Sequence, residues 1–430
     1  MMRQAPKSFR LHIGIFGRRN VGKSSLVNAV FRQQVCVVSP VAGTTTDPVE
    51  KPMELLPLGP VLFIDTGGID DEGELGDLRV DKTRRVFDRT DIGVVVTDEG
   101  GWGTYEEAIH GELQSRGIPL VAVFNKSDCT APSHGTLKKL REAGIPVIRT
   151  DAHSGWGLSD FRQALIDTAP DAYIDQEGIF TDLAGPGDLV VLVVPIDSEA
   201  PKGRLIMPQV QSIRDLLDID AYCIVVRERG LKKVFGSLKS TPRLVVTDSQ
   251  AFSGVAADTP PGIPLTSFSI LFARFRGNLP AQVEGTMAID DLRSGDRILV
   301  AEHCSHHPIG EDIGRVKIPR WMIRYTGAKL RFDHVRGHDF PDDVSAYSLV
   351  VHCGACTANR RAMLTRIMRC RRTGVPITNY GLTIAFSLGI LERALEPFPA
   401  ALEIYRTKKQ KKRYLAFKGY ASTSGASVIE

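Results

Sequence analysis

The sequence predicts an α/β protein of three domains, a larger sheet domain followed by two smaller parallel-sheet domains. Three observations predict it. Short β-branched runs alternate with helical stretches along the first 170 residues, as in a mostly parallel sheet covered on both faces. A Gly185-Pro186-Gly187 break and a turn-rich stretch at 257–264 punctuate the remainder of the chain. The length, 430 residues, suits two to four domains of ordinary size. The boundaries fall at 1–172, 180–264 and 267–407, with a basic and then Ser/Gly/Ala-rich tail, expected to be mobile, over 408–430.

In the first domain, apolar runs give strands at 11–16, 61–64, 92–96, 120–124 and 146–148. Helices fit between and after them at 23–32, 79–88, 104–115, 136–143 and 158–168, with Pro170 following the last. The second domain has buried-strand runs at 189–194, 223–226 and 244–246, with helices at 210–217 and 231–238. The third has helices at 268–275 and 281–292, strands at 298–300, 330–332, 348–351 and 375–378, and a helix at 359–372. No repeat of fixed period argues for a solenoid.

Composition narrows the function classes. Hydrophobic residues make up 43% and charged residues 24%, which excludes a disordered chain, a collagen and a small disulfide scaffold. A net charge of +4 supplies too little nonspecific phosphate attraction for a nucleic-acid coat. No apolar run reaches the roughly 20 residues of a membrane span, and the N-terminal residues lack a secretory pattern. Seven cysteines, an odd number, fit reduced thiols in a cytoplasmic protein.

Gly17-Arg18-Arg19-Asn20-Val21-Gly22-Lys23-Ser24 fits G-x-x-x-x-G-K-[ST] between a predicted strand and a predicted helix. Backbone N–H groups of such a loop turn inward around phosphate oxygens, and the helix N-terminus adds partial positive charge. Lys23 then meets the β- and γ-phosphates, and the Ser24 hydroxyl binds Mg²⁺. The alternative is a glycine-rich connecting turn, which three further motifs disfavour.

Asp65-Thr66-Gly67-Gly68 ends the second apolar strand, so Asp65 can hold the Mg²⁺ shell and the Gly68 N–H can meet the γ-phosphate. Gly43-Thr44-Thr45-Thr46-Asp47 lies between, where a threonine hydroxyl reaches the metal. Asn125-Lys126-Ser127-Asp128 ends the 120–124 strand; the Asp128 carboxylate accepts two N–H donors from guanine that adenine lacks. Together these make the first domain a P-loop GTPase sheet with its ligand at the carboxyl ends of the strands. Nucleotide contacts go to Gly17, Asn20, Val21, Gly22, Lys23, Ser24, Ser25, Thr44, Thr45, Asp65, Gly68, Asn125, Lys126, Asp128 and Ala152. The catalytic set is Lys23, Thr45, Asp65 and Gly68, with Ser24 and Thr45 on Mg²⁺.

On these motifs residues 10–170 resemble the Era/TrmE-like translation-factor-class GTPases. Where that family closes over the base with Ser-Ala, this chain has Thr150-Asp151-Ala152, which keeps the Ala152 backbone contact. Ile69, not glutamine, follows Gly68, so no side-chain amide orients the attacking water and intrinsic turnover is slow. The resemblance implies that Asn20 helps bind K⁺; a turn-capping amide is the alternative.

A second constellation is Cys304-Ser305-His306 with His352-Cys353-Gly354-Ala355-Cys356. Both pieces end predicted strands, and parallel neighbours would bring them to one sheet edge. The helix predicted after Cys356 would turn its N-terminus toward the thiolates. Three thiolates and a histidine suit either a closed Cys₃His zinc or an iron–sulfur cluster with one exchangeable iron. Unliganded buried cysteines, or a Cys353/Cys356 redox pair, are the other readings.

An Era/TrmE-like domain followed by C-x-H…H-C-x-x-C resembles the [FeFe]-hydrogenase maturation GTPases (HydF-type) over nearly the whole chain. The resemblance implies a [4Fe-4S] cluster on Cys304, Cys353 and Cys356, with His306 a candidate fourth ligand or a neighbouring hydrogen-bond donor. It implies a dimerisation role for 180–264, and a scaffold that delivers a transient di-iron precursor. Its partners would be the apo-hydrogenase and two radical-SAM maturation enzymes, with no membrane or nucleic acid. His352 matches a family histidine; His303 and His307 read as bystanders and Glu302 as a weaker oxygen ligand. Cys36, Cys129, Cys223 and Cys370 read as structural. The competing function is a ribosome- or tRNA-associated GTPase with a structural zinc.

Overall fold

The computed structural model describes residues 6–33, 48–66, 83–98, 101–126, 132–170, 173, 178–195, 205–303 and 312–424. The chain divides into two compact units, Met1–Gln176 and Glu177–Glu430.

The first unit is a six-stranded sheet in the order β2-β3-β1-β4-β5-β6. Its strands are β1 Leu11–Phe16, β2 Val49–Leu55, β3 Gly59–Asp65, β4 Ile92–Thr97, β5 Leu120–Phe124 and β6 Val147–Arg149. All pairs are parallel except β2–β3. The central strands are apolar at nearly every position because both faces are covered. Ile13, Ile15, Phe63, Val94 and Val123 face one layer with the helices Lys23–Gln33 and Leu158–Asp167. Phe16, Leu62, Val95 and Ala122 face the other with Thr104–Ser115 and His134–Glu142.

β2, the one antiparallel strand of a mostly parallel sheet, has no predicted counterpart. Its sequence, Val-Glu-Lys-Pro-Met-Glu-Leu, carries three charges and a proline, so no apolar run marks it. An edge strand tolerates both: only one side pairs, and Pro52 sits opposite Leu62 without needing a donor on the open side. Of the helix predicted at 79–88, the described part is helical over 83–87.

The second unit holds two four-stranded parallel sheets, ordered β10-β9-β7-β8 and β12-β11-β13-β14. The first comprises β7 Leu189–Val193, β8 Tyr222–Val226, β9 Leu244–Thr247 and β10 Leu265–Ser267. β10 has no predicted counterpart, being too short for a periodic signal. The second comprises β11 Arg297–Glu302, β12 Arg331–Arg336, β13 Leu349–His352 and β14 Ile377–Asn379.

The helix Phe268–Arg276, capped by the Ser267 hydroxyl, comes directly after β10. Asn379 Nδ2 donates to Ser269 O at 2.8 Å, Arg274 pairs with Asp182 at 2.7 and 2.6 Å, and Arg393 donates to Ala256 O and Thr259 O at 2.6 Å. The Asn379 and Arg393 bonds link the two sheets within the unit. The unit also holds helices without predicted counterparts, among them Phe252–Asp258, Ile318–Thr326, Tyr380–Ser387 and Leu391–Ala394.

The basic run begins at Lys408. Its described part, to Ser424, is helical and continues the helix Pro399–Ser424. Lys408 pairs with Glu284 at 3.5 Å, Lys409 with Glu392 at 3.1 Å, and Lys412 with Asp291 at 2.8 Å. Acidic residues distant in sequence supply the partners, and composition alone cannot show that. Among the described residues no helix is long and apolar enough to cross a membrane.

Candidate functional site

In the first unit β1, β3, β4, β5 and β6 run parallel, so the residues just beyond them share one edge. The P-loop leaves β1 at Phe16. Gly17 has φ +143°, and a Cβ there would lie 2.1 Å from Val96 O. Gly22 has φ +92°, and its Cβ would meet Asn125 Nδ2 at 2.2 Å. Only glycine fits either position, because the chain is both left-handed and pressed against its neighbours.

Lys23 is buried, with Nζ 2.8 Å from Gly17 O and 2.6 Å from Arg18 O, so the ammonium is folded into the loop that would hold the phosphates. Ser24 Oγ donates to Asp65 Oδ2. Asp65 is buried, and its Oδ1 has no hydrogen-bond partner among the described residues. Burial pushes this carboxyl up, against the Ser24 hydrogen bond and the charges of Lys23 and Lys51. An orphaned carboxylate oxygen beside the Ser24 hydroxyl is a donor set of the hard-oxygen kind that Mg²⁺ takes. Asn20 is exposed with φ +63°. The first P-loop side chain, Arg18, is anchored by the buried Glu106 at 2.9 Å, a tie no motif announces.

On the base side, Asn125 joins three segments. Its Nδ2 donates to Val21 O at 3.0 Å, and its Oδ1 accepts from Thr150 Oγ1 at 3.1 Å and from the Ala152 N–H at 3.2 Å. Lys126, in the left-handed region at φ +57°, reaches Asp98 Oδ2 at 2.9 Å. Asp151 braces its own loop, accepting from the N–H groups of His153 and Ser154 at 2.8 and 3.1 Å. A serine would offer one oxygen where Asp151 offers two. Thr44, Thr45, Gly68 and Asp128, with Cys36 and Cys129, lie outside the described residues.

The cysteine constellation sits in the second unit. β11 and β13 are hydrogen-bonded parallel neighbours, with Ala301 opposite His352. The ladder continues past the strands: the Cys353 N–H donates to Ala301 O at 2.9 Å, and the His303 backbone nitrogen lies 3.3 Å from Cys353 Sγ. His303, expected to be a bystander, is therefore a backbone donor to this sulfur. Its Nδ1 is 3.3 Å from Thr357 Oγ1, and its ring meets that of His338 edge-on at 5.4 Å.

Ala355, at φ +54°, turns the chain between Cys353 and Cys356. The helix Arg360–Arg372 starts after Asn359, whose side chain caps the Ala362 N–H. Burial pushes the Cys353 thiol up; the N–H groups of Ala355 and His303 and the charge of Arg366 oppose this. Cys304, His306 and His307 lie outside the described residues. Among those described, no three His, Cys, Asp or Glu side chains could together hold a metal ion.

Two neighbours are accounted for without metal. His352 is buried, with Nδ1 2.8 Å from Cys353 O and Nε2 2.7 Å from Arg366 Nη1. Glu302 accepts from Arg336 Nε at 3.1 Å and from Tyr380 OH at 3.2 Å, so both its oxygens are engaged. Cys370 is fully buried, with its thiol raised to about 12 by burial, as a structural cysteine should be. Cys223 instead stands partly exposed on the edge strand β8.

Comparison with known proteins divides the chain in the same way as its sheets. Residues 12–126 match the 50S ribosome-binding GTPase family, 179–277 the hydrogen maturase F dimerization domain, and 280–397 the hydrogen maturase F tetramerization domain. The tRNA modification GTPase MnmE of Heliobacterium modesticaldum is 36% identical over 154 residues, 35% of this chain and 32% of that protein. GTPase Der of Wolinella succinogenes is 38% identical over 129 residues, 29% of this chain and 27% of that one. The chain thus spans about a third of the length of such relatives. Among solved structures, Aquifex aeolicus Era bound to GDP·AlF4⁻ aligns with 20% identity and a TM-score of 0.32, covering 50% of this chain and 92% of that one.

Proposed function

The chain belongs to the hydrogen maturase F family, and on that premise we propose that it is a GTPase that carries an iron–sulfur cluster in [FeFe]-hydrogenase maturation. The first domain binds GTP or GDP with Mg²⁺. Lys23 neutralises phosphate charge, Ser24 and Asp65 hold the metal shell with Thr45, and Asn125 supports the loop from which Asp128 reads guanine. Without a water-positioning glutamine, turnover is slow, and K⁺ held through Asn20 raises it.

Cys304, Cys353 and Cys356 would hold the [4Fe-4S] cluster, with His306 a candidate fourth ligand. Soft sulfur donors with a backbone N–H on one of them suit iron–sulfur ligation. Bound there, the cluster supplies one exchangeable iron position, to which a di-iron precursor can attach as cargo. The chain is then a scaffold or carrier for that precursor, working with the apo-hydrogenase and its radical-SAM maturation enzymes. One observation carries this reading: Cys353 Sγ lies 3.3 Å from the backbone nitrogen of His303, the residue next to Cys304 in sequence.

Self-association is part of the same reading, since both family domains of the second unit are named for it. β8 is an edge strand with Tyr222 65% and Val225 44% exposed, an open apolar edge that a second copy would cover. The test is anaerobic purification with phosphate-release assays and metal analysis. GTP turnover without ATP turnover, with about four irons per chain, supports the proposal. Colourless protein with one zinc supports instead a ribosome- or tRNA-associated GTPase, the activity class named for the first domain's relatives.

A further inference from the structure

Arg366 lies on the helix Arg360–Arg372 and is 5% exposed, yet no motif singles it out. Its guanidinium reaches back to the cysteine loop. Nη1 is 2.7 Å from His352 Nε2, Nη2 donates to Gly337 O, and the group lies 5.0 Å over the Phe340 ring. Guanidinium nitrogens only donate, so His352 Nε2 must accept. The ring proton is then on Nδ1, which donates to Cys353 O at 2.8 Å. Donor and acceptor roles are fixed along the whole chain from Arg366 through His352 to the Cys353 carbonyl.

Both nitrogens of His352 are thereby used, so this histidine orients the Cys353 peptide and does not reach for iron. In addition, a permanent positive charge is buried behind the first cysteine of the pair. A group of thiolates and iron gains negative charge on reduction. A nearby buried cation stabilises that reduced state more than the oxidised one, and does so strongly where water is excluded.

We propose that Arg366 is a positioning residue of the cluster site: through His352 it fixes the Cys353 peptide, and its charge raises the reduction potential of the bound cluster. This rests on the cluster assigned above. The test compares wild type, Arg366→Gln and Arg366→Lys as full chains, reconstituted anaerobically. Midpoint potentials come from redox titration monitored by electron paramagnetic resonance. The His352 ring is read separately by ¹⁵N-histidine NMR on the metal-free chains.

Arg366→Gln should carry a more negative midpoint potential and altered His352 ring ¹⁵N shifts, and Arg366→Lys, which keeps the charge, should recover most of the potential. A merely structural arginine would move iron content but not the potential of the iron that remains. If wild type holds iron and Arg366→Gln shows the same potential and ring shifts, this role is wrong and the cluster stands. If wild type holds no iron, the cluster reading fails and takes this role with it.

Discussion

Asn125 donates through Nδ2 to the Val21 carbonyl at 3.0 Å, so the base-reading segment is bolted to the P-loop by one amide. The same side chain accepts from Thr150 and Ala152, and it is 4% exposed. Substituting Asn125→Ala removes three hydrogen bonds and leaves buried partners unpaired. GTP and GDP affinity should fall by about 2–3 kcal/mol, roughly 30- to 150-fold in Kd, measured by titration calorimetry. A change below about threefold would mean that the amide does not organise the site.

Asn20, exposed at φ +63° in the P-loop, carries the proposed K⁺ dependence. GTP turnover should be faster in KCl than in NaCl by roughly tenfold or more, the size of effect expected when a cation offsets about 1.4 kcal/mol of transition-state charge. Asn20→Ala should abolish the difference while leaving GDP affinity within a few fold. Steady-state phosphate release in the two salts decides it.

Glu50 on β2 accepts from Arg89 Nη1 at 2.5 Å and is also paired with Lys7. Burial alone would raise this carboxyl, but the charge of Arg89 and the hydrogen bonds from Lys7 and Arg89 outweigh it and hold it at about 2, against 4.5 for a free glutamate. A depressed pKa means the folded state binds fewer protons, so the stabilisation is complete above about 4.5 and is lost as the pH falls toward about 2. Wild type should exceed Glu50→Gln in stability by about 1–2 kcal/mol at neutral pH, after allowance for solvent screening. The gap should close on acidification, as measured by melting under tryptophan fluorescence; a gap that stays constant down to the lowest pH would contradict the pairing.

Val225→Lys places a charge on the open edge of β8, where burial against a second copy would cost a desolvated ammonium. Association should weaken by roughly tenfold or more, about 1.4 kcal/mol, in sedimentation velocity. The GTPase rate per chain should hold. Unchanged association would move the dimer contact to another surface of the domain.

Legibility in the sequence depends on how local each signal is. The P-loop, Asp65 and Asn125 are read from fixed spacings at strand ends, and the parallel strands bring them to one edge. The adjacency of β11 and β13 is legible for the same reason, since two apolar runs each end in a cysteine motif. β2 is hidden because an edge strand keeps its charges. The helix over the basic run from Lys408 is not legible because Glu284, Asp291 and Glu392, which pair with its lysines, are remote in sequence. Arg366 is invisible too: its bond to His352 depends on how a helix folds back on a strand, which no local spacing shows.

The most direct test is low-temperature electron paramagnetic resonance of dithionite-reduced protein, with iron quantified on the same sample, for wild type and Cys353→Ala. Wild type should hold about four irons and give the S = ½ signal of a reduced cubane cluster, and Cys353→Ala should lose most of both. A silent wild type, or a variant that keeps its iron and its signal, would contradict the assignment of this sulfur to a metal cluster.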